Sequence, residues 1–201
     1  MRKHKIILIT LLFITTILYA NSAEIVQNLL NRYTSINTFE ADLTQTNLFN
    51  EHDITLTSTG RIFIQGDTVV IEYIEPVYQF IKSSNNRLII YSSDQNTAII
   101  SSEENQAVHL IFHFSNLLSQ DINFISSSNN NAIFTIAIPI EELTDITLHV
   151  NIVNNTIDKI SYEDDLSNSV IIEFSNQRFN RTLSKSINDF VIPEGTTIIN
   201  N

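Results

Sequence analysis

A chain of 201 residues with 43% hydrophobic side chains suits one domain with a substantial core, and it excludes disorder over most of its length. A formal net charge of −11 opposes binding to nucleic acid or anionic headgroups, and the absence of cysteine excludes disulfides and a lipobox for lipid attachment. Three Gly and three Pro leave most turns to Asn, Asp and Ser, which tolerate left-handed backbone angles.

The chain opens with Met1-Arg-Lys-His-Lys5 and the apolar run Ile6–Tyr19, followed by small residues at Ala20 and Ala23. That run is shorter than the ~20 residues a membrane span needs, so it reads as a secretory signal peptide, residues 1–23, cleaved after Ala20 or Ala23. One domain, 24–201, is expected to remain. It is the more acidic for losing Arg2, Lys3 and Lys5.

Glu24–Asn37 reads as a helix with Ser22 as N-cap, because Val26, Leu29, Leu30, Tyr33 and Ile36 form one apolar stripe. In Phe39–Gln45 the period changes to two, placing Phe39, Ala41 and Leu43 on one face of a strand. Asp53–Thr59, Gly60–Gln65, Thr68–Pro76, Gln79–Lys82, Arg87–Tyr91 and Thr97–Ser101 continue as short strands rich in Ile, Val, Phe and Tyr. Turns at Gly66-Asp67 and Asn85-Asn86 make them an antiparallel meander. Glu103–Leu118 then reads as a second helix, apolar almost all round, which needs cover on more than one side. Ser126–Asn131 reads as a turn and Ala132–Ile138 as a strand. Ile146–Val153, Thr156–Ser161 and Ser169–Phe174 follow as strands, with Phe179–Ser184 and Asp189–Ile192 closing the sheet.

No reactive constellation emerges. His109 and His113 sit four apart, but Leu110 stands where a metalloprotease motif needs Glu, and no third ligand is evident. The doublets Glu103-Glu104, Glu141-Glu142 and Asp164-Asp165 fall in turns or at helix starts, where solvated acids are expected. Neither a G-x-S-x-G elbow nor a phosphate-binding or dinucleotide glycine pattern is present. The expectation is a protein that is not an enzyme and uses no cofactor or metal.

The order F-x-A-x-L-x-Q (Phe39 to Gln45), Gly60, I-E-Y-x-x-P (Ile71 to Pro76), Gln79 and L-x-x-Y (Leu88 to Tyr91) resembles the outer-membrane lipoprotein carrier (LolA) family. The ending agrees: Ser169–Asn176, then Phe190-Val-Ile-Pro-Glu-Gly195, resembles that family's closing strands. The resemblance implies a mainly β fold, an antiparallel, incompletely closed barrel covered by an N-terminal helix and a helical lid. Acyl chains of lipoproteins would lie on its apolar concave side. Alternation and alignment together place Phe39, Ala41, Leu43, Ile62, Ile64, Ile71, Tyr73, Ile89 and Tyr91 there; the alternative is that these nine make a filled core. The lid would be the second helix, with Val108, Leu110, Ile111, Phe112 and Phe114, unless that helix is an ordinary core element.

The implied role is a monomeric periplasmic carrier. It would accept acylated lipoproteins from an inner-membrane ABC transporter and deliver them to an outer-membrane receptor. A lipid- or peptide-sensing module on the same scaffold is the alternative. The chain departs from the family in having no Trp, with Ile71 and Ile89 where an aromatic is common. It also has Gln65-Gly66 where a basic residue often holds the lid.

Overall fold

The computed structural model describes residues 22–84, 87–102, 112–138, 144–164 and 166–200. The signal segment up to residue 21 lies outside them, as do Asn85-Asn86, Glu103-Glu104, Val108, His109, Leu110, Ile111, Glu141-Glu142 and Asp165. A first helix, α1, spans 22–34. A meander follows: β1 (Thr38–Phe49), β2 (Ile54–Gln65), β3 (Thr68–Glu75), β4 (Gln79–Ser84), β5 (Arg87–Ser92) and β6 (Thr97–Ser101). A short helix, α2 (Phe114–Leu118), leads into a second meander of β7 (Asp121–Ser128), β8 (Asn131–Ala137), β9 (Ile146–Asn151), β10 (Thr156–Glu163) and β11 (Ser169–Phe179). The final strand is β12 (Thr197–Asn200).

The two meanders are joined where β1 pairs with β11, giving one twelve-stranded sheet in the order β12-β6-β5-β4-β3-β2-β1-β11-β10-β9-β8-β7. Its outermost strands, β12 and β7, do not pair with each other, so the mainly β sheet stays an open half-barrel. Pairing is antiparallel throughout except between β12 and β6. Asparagine takes the turns and bulges, as expected. Among the described residues, five of the seven non-glycine residues with positive φ are Asn96, Asn129, Asn155, Asn176 and Asn180.

Several elements differ from the sequence expectation. β2 runs unbroken through Thr59-Gly60, with a register shift against β3 at that step. β11 likewise runs through to Phe179, because Asn176, at φ 52°, sits at a bulge against Glu40–Asp42 and keeps the ladder going. The serine-rich 126–128 extend β7 rather than turning, since pairing with Ala132 and Ile133 of β8 overrides their weak strand propensity. Neither Phe179–Ser184, of which only Phe179 is in a strand as the last residue of β11, nor Asp189–Ile192 forms the expected closing strand. Residues 180–196 form a strap across the convex face, with a 3-10 turn at Ile187–Asp189 capped by Ser186, and the chain then adds β12 beside β6.

The sheet is therefore buried on both faces over much of its first half. On the convex face Phe63, Val70, Phe80, Tyr91 and Ala98 pack against Ile187 and Phe190 of the strap. The concave face carries the larger core, which includes Leu29 and Tyr33 of α1 together with Phe112, Phe114, Leu117 and Leu118. Curvature between the faces depends on Gly60. A Cβ there would lie 1.9 Å from the Glu72 carbonyl oxygen and 2.8 Å from Tyr73 Cα, so β2 and β3 approach this closely only because glycine has no side chain. Gly60→Ala is expected to cost about 3 kcal/mol or more, because backbone rather than a side chain must move. That loss should lower the melting temperature by on the order of 10 °C in a thermal unfolding scan.

Candidate functional site

The concave face is built by strict alternation. Phe39, Ala41 and Leu43 of β1 point inward, opposite Ile64, Ile62 and Gly60 of β2, and Ile62 lies opposite Ile71 of β3. With Tyr73, these seven expected residues fall in one cluster and none is more than 7% exposed. The second meander supplies the other wall: Phe134, Leu148, Ile160 and Ile172 are buried in the same cluster. Among the described residues the buried carboxylates are Glu40 and Glu72, and both lie on the convex face, in register with Phe63 and Phe80.

Ile89 and Tyr91 are not on this face. Tyr91 pairs with Phe80, and Phe80 with Glu72, which puts Tyr91 on the convex side with Phe63 and Phe190, and Ile89 packs there too. A one-residue step moves a side chain to the other face of a sheet. In Leu88-Ile-Ile-Tyr91 all four residues are apolar because both faces are covered, so alternation carried no signal. Ile90 is the residue in register with Ile81 and Ile71, and Leu88 with Ser83 and Val69. The inward row of β4 and β5 was the part that sequence reasoning missed.

Two helical pieces cover the concavity. The stripe read on α1 is the one it buries: Leu29 and Tyr33 are core residues, with Val26, Leu30 and Ile36 packed beside them. Tyr33 fixes the helix to a bulge in β10. Its hydroxyl accepts from the Ile157 backbone N–H at 2.9 Å and donates to Gln177 Oε1 at 3.3 Å, while Gln177 Nε2 donates to the Ile157 carbonyl at 3.0 Å. Arg32, one residue earlier, lies over the Phe179 ring at 4.0 Å.

Of the residues expected in a lid, Phe112 and Phe114 are buried against the concave core, at 6% and 3% exposure, as are Leu117 and Leu118. Phe114 is central. Its ring is 4.9 Å from Tyr33, 5.5 Å from Phe39 and 5.6 Å from Phe174, edge-on to each. The floor of the concavity is thus occupied by the protein's own aromatic side chains.

Polar groups on the concave wall are few and stay uncharged. Burial pushes the hydroxyls of Tyr33 and Tyr73 well above the ordinary phenol range, and burial with nearby Asp164 pushes Tyr162 up to about 12. By contrast, a cleft of about 780 Å³ between α1 and the β9–β10 turn is lined by Arg32, Asp158, Glu173, Asn151 and Gln177, a chemistry unsuited to acyl chains. The described part of the concave face is thus apolar at its floor. Tyr33→Phe should leave the buried Ile157 N–H unpaired and cost about 1–3 kcal/mol, seen as a lower midpoint in urea at unchanged m-value.

The comparisons with known proteins agree with this geometry. Residues 34–191 match the family model of the outer membrane lipoprotein carrier protein LolA. An uncharacterized conserved protein from Thermus thermophilus has the same fold, at a TM-score of 0.59 and 8% identity, over 90% of this chain and 99% of that one. A LolA superfamily protein from Nitrosomonas europaea gives a TM-score of 0.47 at 11% identity, over 80% of this chain and 94% of that one. A putative outer membrane lipoprotein-sorting protein domain from Vibrio parahaemolyticus gives 0.45 at 11% identity, over 83% and 94%. No curated protein matches the sequence. Because the family match spans most of the chain, from the end of α1 into the strap, the protein belongs to the LolA family of outer membrane lipoprotein carriers, which are carriers rather than enzymes.

Proposed function

We propose that the protein is a soluble periplasmic carrier that takes the acyl chains of lipoproteins onto its concave face and moves them from the inner to the outer membrane. The proposed donor is an inner-membrane ABC transporter and the proposed acceptor an outer-membrane receptor. One observation carries the reading: the concave side of an open sheet has a large apolar floor that is covered by helical segments and not by a second sheet. Such cover can be displaced without breaking the ladder. Each methylene transferred from water to that face contributes ~0.8 kcal/mol, so acyl chains alone supply the affinity.

The proposed cavity residues are Phe39, Ala41, Leu43, Ile62, Ile64, Ile71 and Tyr73, to which the register adds Ile81 and Ile90. The lid is the segment that contains Phe112 and Phe114, since α1 is tied to β10 through Tyr33. Export by the N-terminal signal completes the scheme. Cleavage after Ala20 is preferred, because Ser22 and Ala23 already belong to α1.

The purified mature protein should bind a triacylated lipopeptide at about one-to-one stoichiometry and not its unacylated form, measured by titration at fixed ionic strength. Equal retention of both forms would indicate a peptide-reading module, and retention of neither a filled core; either result overturns the carrier reading. Phe112→Asp tests the lid. A charge on a displaceable cover should weaken lipopeptide binding while leaving the melting temperature within a few degrees. If the segment is core instead, the same charge should cost several kcal/mol of stability, with binding by the remaining folded protein unchanged.

A further inference from the structure

Beyond Leu43, the inward row of β1 continues through Gln45 and Asn47 to Phe49. These lie opposite Ser58, Leu56 and Ile54 of β2, and Ile172 and Val170 of β11 lie opposite Gln45 and Asn47. Val170 is in turn opposite Tyr162 of β10. The concave face therefore changes character along its length. A buried apolar floor ends at Leu43, a band of amide and phenol groups follows, and an apolar rim lies outside it, where Ile54 and Leu56 are 47% and 53% exposed.

The polar band is ordered by its own hydrogen bonds. Tyr73 O–H reaches across β2 to donate to Gln45 Oε1 at 2.6 Å. With its oxygen engaged, Gln45 presents its Nε2, which donates to Asn47 Oδ1 at 3.0 Å. Asn47 must then turn its own Nδ2 away from Gln45, and among the described residues nothing accepts from it. Tyr162 shares this face, since it lies opposite Val170, which is itself opposite Asn47, and it adds a second phenol O–H to the band. The relay ends in donors, on a wall that is otherwise apolar and only half-buried at Gln45 and Asn47.

We infer that Gln45, Asn47, Tyr73 and Tyr162 form a subsite that receives the carbonyl groups linking acyl chains to the head of the bound anchor. This rests on the carrier reading and goes further by fixing the orientation of the cargo. Ester and amide carbonyls are acceptors only, so they match a site that presents donors. They also sit at the chemical boundary of an acylated anchor, with methylenes on one side and the hydrated peptide on the other. The chains run from the band toward Leu43, Ile62 and Ile71, and the peptide leaves past the rim of Ile54 and Leu56. Tyr73 acts as a positioning residue, since it holds Gln45 in the orientation that frees the Asn47 amide.

The test compares two glyceryl lipids of equal chain length, one with two ester linkages and one with two ether linkages, the latter having no carbonyl. Wild-type protein should bind the diester about tenfold more tightly in fluorescence displacement of N-phenyl-1-naphthylamine, and it should bind a triacylated lipopeptide. Asn47→Leu and Tyr73→Phe should each reduce the diester preference, read as the ratio of the two dissociation constants, to within about twofold. Asn47→Gln should recover part of the preference. Equal binding of the two lipids by the wild type, or a preference that survives both substitutions, overturns the subsite and leaves the carrier reading standing. Failure of the wild type to bind either lipid or the lipopeptide overturns both. Should a variant weaken diester and diether alike, the residue shapes the fold and not the recognition of carbonyls, which also overturns the subsite.

Discussion

The close approach of β2 and β3 at Gly60 is the constraint on which the rest depends. A flat sheet of twelve strands has no inside, and packing a concavity requires local departures from the regular ladder. The register shift at Thr59-Gly60 is one such departure, and the bulge opposite Glu40–Asp42 is another, on the far side of the same strand β1. Between them, β1 is the hinge line of the half-barrel, joining the two meanders. The missing side chain has a second consequence. It lets the backbone at Tyr73 come in close, and from there the Tyr73 hydroxyl spans to Gln45 on β1.

The convex face is closed, which on the proposed reading confines apolar cargo to the other side of the sheet. The strap fills the outer face, and its hold is electrostatic as well as apolar. Glu40, buried to 6% exposure, accepts from the Ser184 backbone N–H at 2.9 Å, from the Ser184 hydroxyl and from Arg178 at 3.3 Å. Glu72 accepts from Lys185 at 2.6 Å and from Tyr78 at 3.1 Å, while Lys185 lies 4.2 Å over the Phe190 ring. Each carboxylate is matched by donors from the strap, which is the condition for burying charge at acceptable cost. These fixed partners leave the strap committed, whereas Phe112, Phe114, Leu117 and Leu118 cover the inner face with apolar contacts, which on the proposed reading can be exchanged.

The sequence revealed the fold where the two faces of an element differ in polarity. Phe39, Ala41 and Leu43 alternate with polar neighbours, and so do the stripe residues of α1, and both were placed correctly from period alone. Where a strand is covered on both sides the alternation disappears, as in Leu88-Ile-Ile-Tyr91, and the parity of the inward row could not be read. The strap was hidden for a related reason. Ile187, Phe190 and Ile192 look like strand residues because they are apolar at near-regular spacing, yet they pack side-on against a sheet that is already paired. The polar band was in view as Gln45 within F-x-A-x-L-x-Q, but its meaning comes from Tyr73, twenty-eight positions away and two strands over.

The occupied floor bears on how a carrier could release what it holds. Chains entering an empty apolar concavity would gain the full transfer free energy, and a three-chain anchor would then leave very slowly. Here Phe114 already touches Phe39, Tyr33 and Phe174, and Leu117 and Leu118 fill the space beside it. Cargo must replace these side chains, so on the proposed reading its affinity is the difference between two apolar packings and not the whole of one. The displaced Phe112, Phe114, Leu117 and Leu118 keep their tendency to return. Their return would favour release as soon as an acceptor offers the chains an equal environment. Gln65 and Gly66, standing where a basic latch is common in the family, are consistent with that reading, on which closure would rest on aromatic packing and depend less on salt than an ion pair would.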